Sequence, residues 1–265
     1  MNKEILTLEE AADLFGVSVK TFIKLLKEEI VPARKIGREW RFNRKALIDW
    51  LSSGNSQAYS ASEKDTTDFF NVVAPEWDKI RANFFDETIK DKLINLGVLD
   101  QTMTVVDLGA GDGFISRSVS GYVNDVYAID LSSEMLKHLT IKAQNEGITN
   151  ITAIEGDGLD IPLQDSSVDV VCASMFLHHI ETPELVIREM YRVLKPGGMV
   201  FLADFHEHCN TELIKKMHDY WPGFKKNEIT AWFNKNGFKE IQIDTLTQNN
   251  KTKNNTGIFT LTAKK

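Results

Sequence analysis

Val105-Val-Asp-Leu-Gly-Ala-Gly-Asp-Gly-Phe114 decides the architecture of this 265-residue chain. A short apolar run enters three alternating glycines, Gly109, Gly111 and Gly113, and then resumes with Phe114. This reads as a strand turning sharply into a helix. Glycine permits both the bend and the close approach of a ligand to the backbone. A dinucleotide fingerprint of the G-x-G-x-x-G type needs glycine at position 114, so the pyrophosphate reading weakens. A plain strand-to-helix turn remains the alternative.

Downstream, the pattern of the first strand returns in VYAID (126–130), NITAIEG (150–156), DVVCASM (169–175) and GMVFLADF (198–205). Amphipathic stretches lie between, such as SSEMLKHLTIKAQNEG (132–147) and PELVIREMYRVLKPGG (183–198). Strands alternating with helices predict an α/β fold, a parallel sheet covered on both faces. KEIQIDTLTQ (239–248) and GIFTLTAKK (257–265) break the alternation and predict a closing antiparallel hairpin. Upstream, apolar residues recur at helical spacing over 68–97, with Pro75 at a helix start.

Two carboxylates follow the glycine loop. Asp130 ends the second strand, where it can take two ribose hydroxyls in charge-assisted hydrogen bonds. Capping the next helix is its alternative role. Asp157, in Glu155-Gly-Asp-Gly158, can accept from an adenine amino group, with Gly158 and Leu159 along the ring. A turn carboxylate is the alternative.

Taken in order, VVDLGAGDGF, AIDLSSEML, AIEGDGLDIPLQDSSVDVV, FLHHIETPELVIREMYRVLKPGG and the hairpin end resemble the class I S-adenosylmethionine-dependent methyltransferases. The likeness is to the broad group that includes ubiquinone- and menaquinone-biosynthesis methyltransferases, over roughly residues 66–265. The resemblance implies a Rossmann-like sheet of seven strands, with S-adenosylmethionine lying across the strand ends. It implies that Asp107 and the loop Gly109, Ala110, Gly111, Gly113 face the methionine part. It places Asp130, with Leu131 and Met135, at the ribose side, and Gly156, Asp157 and Gly158 at the adenine. Ala173 or Ser174 then follows the fourth strand beside the sulfonium. Phe69, Phe70 and Trp77 belong to a helical cap that closes over the cofactor or packs on the sheet.

Methyl transfer from a sulfonium is an in-line displacement with a good leaving group. Positioning alone contributes up to about 7–11 kcal/mol in favourable cases. A base is needed only for an acceptor proton of high pKa. His178 is taken ahead of His179 for that part, with a bracing role as the alternative. Asp204, His206, His208 and Cys209 are competent metal ligands, and His218 is near enough to join them, but their spacing matches no zinc signature and no metal is assigned. There is no Asn/Asp-Pro-Pro-Tyr motif and no Pro-Cys nucleophile, which argues against DNA as methyl acceptor. Two cysteines are fewer than arsenic methylation usually uses. A small molecule is the expected acceptor.

The first 51 residues carry ten Lys/Arg and eight Asp/Glu, whereas the remainder carries 21 and 30. The acidic part is poorly suited to nucleic acid phosphates, the basic part better suited. Thr7-Leu-Glu-Glu10 is a capping box, and Gly16 separates LEEAADLF from VKTFIKLLKEE, which Ser18 starts. VPARKIGREWRF predicts two strands about Gly37-Arg38, and Asn43 caps NRKALIDWL. Leu8, Ala11, Ala12, Leu14, Val19, Phe22, Ile23, Leu26, Trp40, Leu47 and Trp50 are the expected core. The segment resembles the winged helix-turn-helix of excisionases and mercury-resistance regulators. That resemblance implies DNA contacts from Lys20, Thr21 and Lys24 on the second helix and from Arg34, Lys35, Arg38 and Arg41 on the wing. A protein-docking module is the alternative.

The expected organisation is therefore a helix-turn-helix domain over 1–52, a linker over 53–65 and a methyltransferase domain over 66–265. No run of about 20 apolar residues predicts a membrane span. The polar N-terminus and two lone cysteines, Cys172 and Cys209, point to the cytoplasm. A single DNA module binds weakly, so a homodimer is expected if it regulates transcription. The competing reading is a transcriptional regulator that senses S-adenosylmethionine without turnover.

Overall fold

The computed structural model describes residues 3–28, 31–37, 39–53, 66–247 and 256–265; of Lys20, Lys24, Lys27, Glu28, Ser52 and Ser53 it describes the backbone alone. Two compact units divide the chain, Met1–Ser62 and Glu63–Lys265. The expected linker falls almost wholly outside the described residues, as does Arg38.

The first unit runs β1 (Ile5–Leu6), α1 (Leu8–Leu14), α2 (Val19–Glu28), β2 (Ala33–Ile36), β3 (Glu39–Asn43) and α3 (Arg44–Ser53). Its three strands form an antiparallel sheet in the order β1-β3-β2. Each helix start has a side-chain cause. Thr7 Oγ1 accepts from Glu10 N, while the Glu10 carboxylate accepts from Thr7 N, completing the capping box. Ser18 Oγ accepts from Thr21 N at 3.1 Å, and Asn43 Oδ1 from Ala46 N at 2.9 Å. Gly16, at φ +66°, supplies the left-handed turn after α1.

The core of this unit is Leu6, Ala11, Ala12, Phe22, Phe42 and Leu47. Leu8, Leu14, Val19 and Leu26 pack against it half-buried, Trp50 meets Phe15 edge-on, and Ile23 and Trp40 are exposed, at 37% and 36%. Trp40 shares a strand face with buried Phe42 but sits nearer the hairpin tip. Leu6 and Phe42 take the places, because the short β1 was not foreseen.

The second unit begins with a helix over 66–73, here α4. It continues through α5 (Trp77–Arg81), α6 (Thr88–Asn95), β4 (Thr104–Leu108), α7 (Phe114–Val119), β5 (Asp125–Asp130), α8 (Ser133–Asn145), β6 (Ile151–Glu155) and β7 (Val168–Ser174). It ends with α9 (Pro183–Val193), β8 (Leu194–Phe205), α10 (Thr211–Met217), α11 (Lys226–Lys235), β9 (Lys239–Leu246) and β10 (Ile258–Lys264). The seven strands order as β6-β5-β4-β7-β8-β10-β9. β6, β5, β4, β7 and β8 pair in parallel, and β10 runs antiparallel to both β8 and β9. The expected hairpin is thus the sheet's closing edge.

β4 and β7 are apolar on both faces because helices cover both. One core holds Val106, Val171, Val186, Met190 and Leu202; the other holds Ile89, Leu93, Val105, Ile115 and Phe201. α9 starts at Pro183 and buries Val186, Ile187, Met190 and Val193, the stripe of an amphipathic helix. Strand order reverses at β4, with β5 on one side and β7 on the other. Ligands of open α/β sheets bind beyond the strand ends at such a point. Among the described residues no helix is long and apolar enough to cross a membrane.

Candidate active site

A cavity opens at that reversal. Its floor is the glycine loop between β4 and α7. Gly109, Gly111 and Gly113 all have positive φ, at +64°, +53° and +86°. A Cβ on Gly109 would stand 2.3 Å from the Phe176 ring, so neither its backbone nor its surroundings admit a side chain. Gly113 bends the chain into α7 with its own obstruction, Leu139 at 2.7 Å, and does not line the cavity.

Asp130 closes the loop against the end of β5. One carboxylate oxygen accepts from Gly111 N and the other from Ser132 N, each at 2.8 Å. Burial raises its pKa, and these two backbone donors oppose that rise. Ser132, whose Oγ accepts from Met135 N at 3.1 Å, is the helix cap, so the capping role falls beside Asp130 rather than on it. Asp107 is buried, and its Oδ2 accepts from Ser116 N at 2.9 Å and Ser116 Oγ at 2.6 Å. Burial nonetheless lifts its pKa to about 7, with Asp130 and Asp112 adding to the rise. Asp157 Oδ1 accepts from Leu159 N at 2.8 Å in a tight turn. Leu159 packs into the core instead of the cavity.

Asp107, Gly109, Ala110, Gly111, Asp130, Leu131, Met135, Gly156, Asp157 and Gly158 all line this cavity. Ala173 does not. It is fully buried in the sheet core, and Ser174, one residue on and therefore on the other face of β7, lines the cavity instead. Of the cap aromatics, Phe70 and Trp77 line it, while Phe69 stacks 5.0 Å from His218. Arg81 was missed. It lies four residues beyond Trp77 on α5, hence on the same helical face, and stacks over Phe114 at 4.1 Å. Lys142 ties the cap to the loop by pairing with both Asp78 and Asp112.

The histidine pair is placed differently from expectation. His178 is buried behind the wall with Nδ1 2.6 Å from Asp204 Oδ1. Burial opposes its charge, but Asp204 outweighs this and raises its pKa. His179, not His178, lines the cavity, and burial together with His178 lowers its pKa. His179 Nδ1 lies 3.1 Å from Asp219 Oδ1. The set Asp204, His206, His208 and Cys209 does not converge. His206 Nε2 meets Thr245 Oγ1 at 3.1 Å, His208 Nδ1 accepts from Asn210 N, and Cys209 is exposed. Asp219 was missed, since nothing local in the sequence ties it to a pair 40 positions earlier.

In the N-terminal unit, Arg34 and Lys35 are exposed on β2 and Thr21 is exposed on α2. The Thr21 hydroxyl is 2.8 Å from Ser18 Oγ, and Arg41 pairs with Glu39. The side chains of Lys20 and Lys24 lie outside the described residues.

Residues 106–202 match a family model described as a methyltransferase domain, and residues 5–55 match one described as a helix-turn-helix domain. A chloroplastic 2-methyl-6-phytyl-1,4-hydroquinone methyltransferase of Oryza sativa subsp. japonica is 28% identical over 204 residues, covering 75% of this chain and 61% of that protein. A ubiquinone/menaquinone biosynthesis C-methyltransferase of Enterobacter sp. (strain 638) is 31% identical over 121 residues, covering 44% and 48%. The chain spans less than two thirds of the length of these relatives. A SAM-dependent methyltransferase structure from Aquifex aeolicus superposes with a TM-score of 0.56 at 23% identity, covering 72% of this chain and 97% of that one. A Haemonchus contortus phosphoethanolamine N-methyltransferase bound to S-adenosyl-L-methionine gives a TM-score of 0.57 at 20% identity, covering 65% and 51%.

Residues 106–202 thus belong to a methyltransferase domain, and the larger unit has the fold of the S-adenosylmethionine-dependent methyltransferase from Aquifex aeolicus. The chain joins a methyltransferase domain to a helix-turn-helix domain over residues 5–55.

Proposed function

We propose that the larger unit transfers the methyl group of S-adenosylmethionine to a small-molecule acceptor, and that the helix-turn-helix domain binds DNA. One observation carries the cofactor assignment: Asp130 grips both the glycine loop and the start of α8 from a strand end that lines one cavity together with Asp157. Each carboxylate oxygen keeps a lone pair for a ribose hydroxyl. Asp157 and Gly158 take the adenine, and Gly156, Leu131 and Met135 line its path. The methionine part lies over Gly109–Gly111, with Arg81 as counter-ion for its carboxylate. Phe70 and Trp77 exclude water above it.

Held this way, the sulfonium methyl faces the wall of Ser174, His179 and Tyr220, and catalysis is mainly alignment in a dry site. The products are the methylated acceptor and S-adenosylhomocysteine. Titration calorimetry with S-adenosylhomocysteine tests the assignment. Asp130→Ala should weaken binding about 100-fold, since charge-assisted hydrogen bonds contribute roughly 1.5–3 kcal/mol each. Unchanged affinity in that variant would remove the basis of the reading.

The helix-turn-helix match favours a second reading, a regulator whose larger unit senses cofactor without turnover. Release of S-adenosylhomocysteine in an acceptor screen argues for the enzyme, and cofactor-dependent DNA binding without release argues for the sensor. DNA binding through Arg34 and its neighbours should fall steeply with salt, and Arg34→Ala should reduce that salt slope by about one. The DNA-bound form is expected to be a homodimer.

A further inference from the structure

In the acceptor wall, and reaching behind it, lies a cluster that cofactor binding does not use. One ligand atom each from His178, His179 and Asp219 lies within 4.8 Å of the others, and all three side chains are buried. Asp219 Oδ1 is 3.1 Å from His179 Nδ1 and 3.7 Å from His178 Nε2. Yet neither Asp219 oxygen nor His179 Nδ1 makes a hydrogen bond among the described residues, although the Asp219 side chain is 1% exposed. Buried charges are ordinarily paired through hydrogen bonds or coordinate a metal. From these observations we propose that His178, His179 and Asp219 bind a divalent transition-metal cation.

Donor atoms about 2.0–2.1 Å from a common ion stand roughly 2.8–3.4 Å apart in octahedral or tetrahedral arrangement. The 3.1 Å between His179 Nδ1 and Asp219 Oδ1 is in that range, and His178 Nε2, 3.7 Å from Asp219 Oδ1, needs to close by a few tenths of an ångström. Two imidazoles and one carboxylate are a donor set for zinc, cobalt, iron or manganese. The surroundings also fit. A ligating histidine usually donates its other ring N–H to a carboxylate, and His178 Nδ1 is 2.6 Å from Asp204 Oδ1. That leaves Nε2 for the ion.

The ligands are held in place before any ion arrives. Tyr220 N and Trp221 N both donate to His178 O at 3.0 Å, and Trp221 Nε1 donates to Ile180 O at 2.9 Å. These bonds clamp the segment bearing Asp219 against the histidine pair. His218, just before it, takes a left-handed conformation at φ +57°, which is costly for a residue with a side chain and turns the chain inward after α10. Tyr220 and His179 also line the cofactor cavity, so the ion would sit in its wall and favour acceptors that present an oxygen lone pair.

The full chain, stripped with a chelator, should take up Co2+ at one ion per chain in equilibrium dialysis, with a visible absorption band that Zn2+ displaces. Asp219→Asn should abolish uptake. Asp204→Asn, which loosens His178, should weaken it about 10–100-fold. His206→Gln, a histidine outside the cluster, should leave it unchanged. No uptake by a wild-type sample that melts cooperatively overturns the proposal, and so does uptake undiminished in Asp219→Asn. If that variant does not fold, the wild-type decides: Zn2+ must raise its Tm. Calorimetry with S-adenosylhomocysteine on the same sample reports the cofactor site separately, so the two readings fail independently.

Discussion

The cavity has two walls built on opposite terms. On the glycine-loop side, three carboxylates are hydrogen-bonded within a few residues of a glycine turn: Asp107 to Ser116, Asp130 to Gly111 and Ser132, Asp157 to Leu159. On the acceptor side, Ser174 Oγ, His179 Nδ1, both Asp219 oxygens and Tyr220 Oη are buried without a hydrogen-bond partner among the described residues. A wall that recognises one invariant molecule can be satisfied in advance by its own backbone. A wall that waits for an acceptor or an ion keeps polar atoms open, at a cost of roughly 1–3 kcal/mol for each buried group.

The largest expected effect probes Asp107 of the satisfied wall, whose pKa burial raises. Burial of Asp107 outweighs the two bonds from Ser116 and raises its pKa to about 7. In the unfolded chain the carboxyl titrates near 3.9. The folded protein therefore holds this proton more tightly. The stability that this gives is complete below about pH 4 and is lost as pH rises to about 7, by up to ~4 kcal/mol. Urea unfolding across this range should show the decline, and Asp107→Asn, which still accepts from Ser116, should flatten it. An unchanged profile in the variant would assign the pH dependence elsewhere.

Next in size is Gly109→Ala. The methyl group meets Phe176 at 2.3 Å on a backbone at φ +64°. Overpacking costs about 1–3 kcal/mol and the positive φ about 1 more. A drop in stability of about 2–4 kcal/mol and weaker binding of S-adenosylhomocysteine should follow. Gly197→Ala, at φ +81° with nothing within 4 Å of its Cβ position, isolates the backbone part.

The same contrast explains what the sequence discloses. The glycine-loop wall of the cavity was legible because its parts are contiguous: the glycine loop, Asp130 and Glu155-Gly-Asp-Gly158 each carry their geometry in local spacing. The alternation of strand and helix and the final hairpin were legible for the same reason, since periodicity is local. What escaped was set by tertiary contact. Choosing Ser174 over Ala173 needs the strand's phase against the cavity. Preferring His179 to His178 needs the knowledge that Asp204, 26 residues away, draws His178 behind the wall. Arg81 was within reach, since helical spacing from Trp77 places both on one face. Asp219 was not, because its turn is fixed by backbone bonds to His178. In the N-terminal unit, Phe42 displaced Trp40 from the core through pairing with β1, a two-residue strand too short to carry a pattern.

The smallest effect tests the open wall directly. Ser174 Oγ is buried at the end of β7 with no hydrogen-bond partner among the described residues. Ser174→Ala removes a hydroxyl whose desolvation nothing repays, in exchange for one methyl-sized neighbour. The ligand-free protein should be unchanged or more stable by up to about 1 kcal/mol, measured by thermal or urea unfolding. Affinity for S-adenosylhomocysteine should hold, because the gripping groups are on the other wall. Acceptor methylation is where the loss should appear. A destabilisation above about 1 kcal/mol in the ligand-free state would mean that this hydroxyl is already bonded at rest, and the difference between the walls would then be one of position alone.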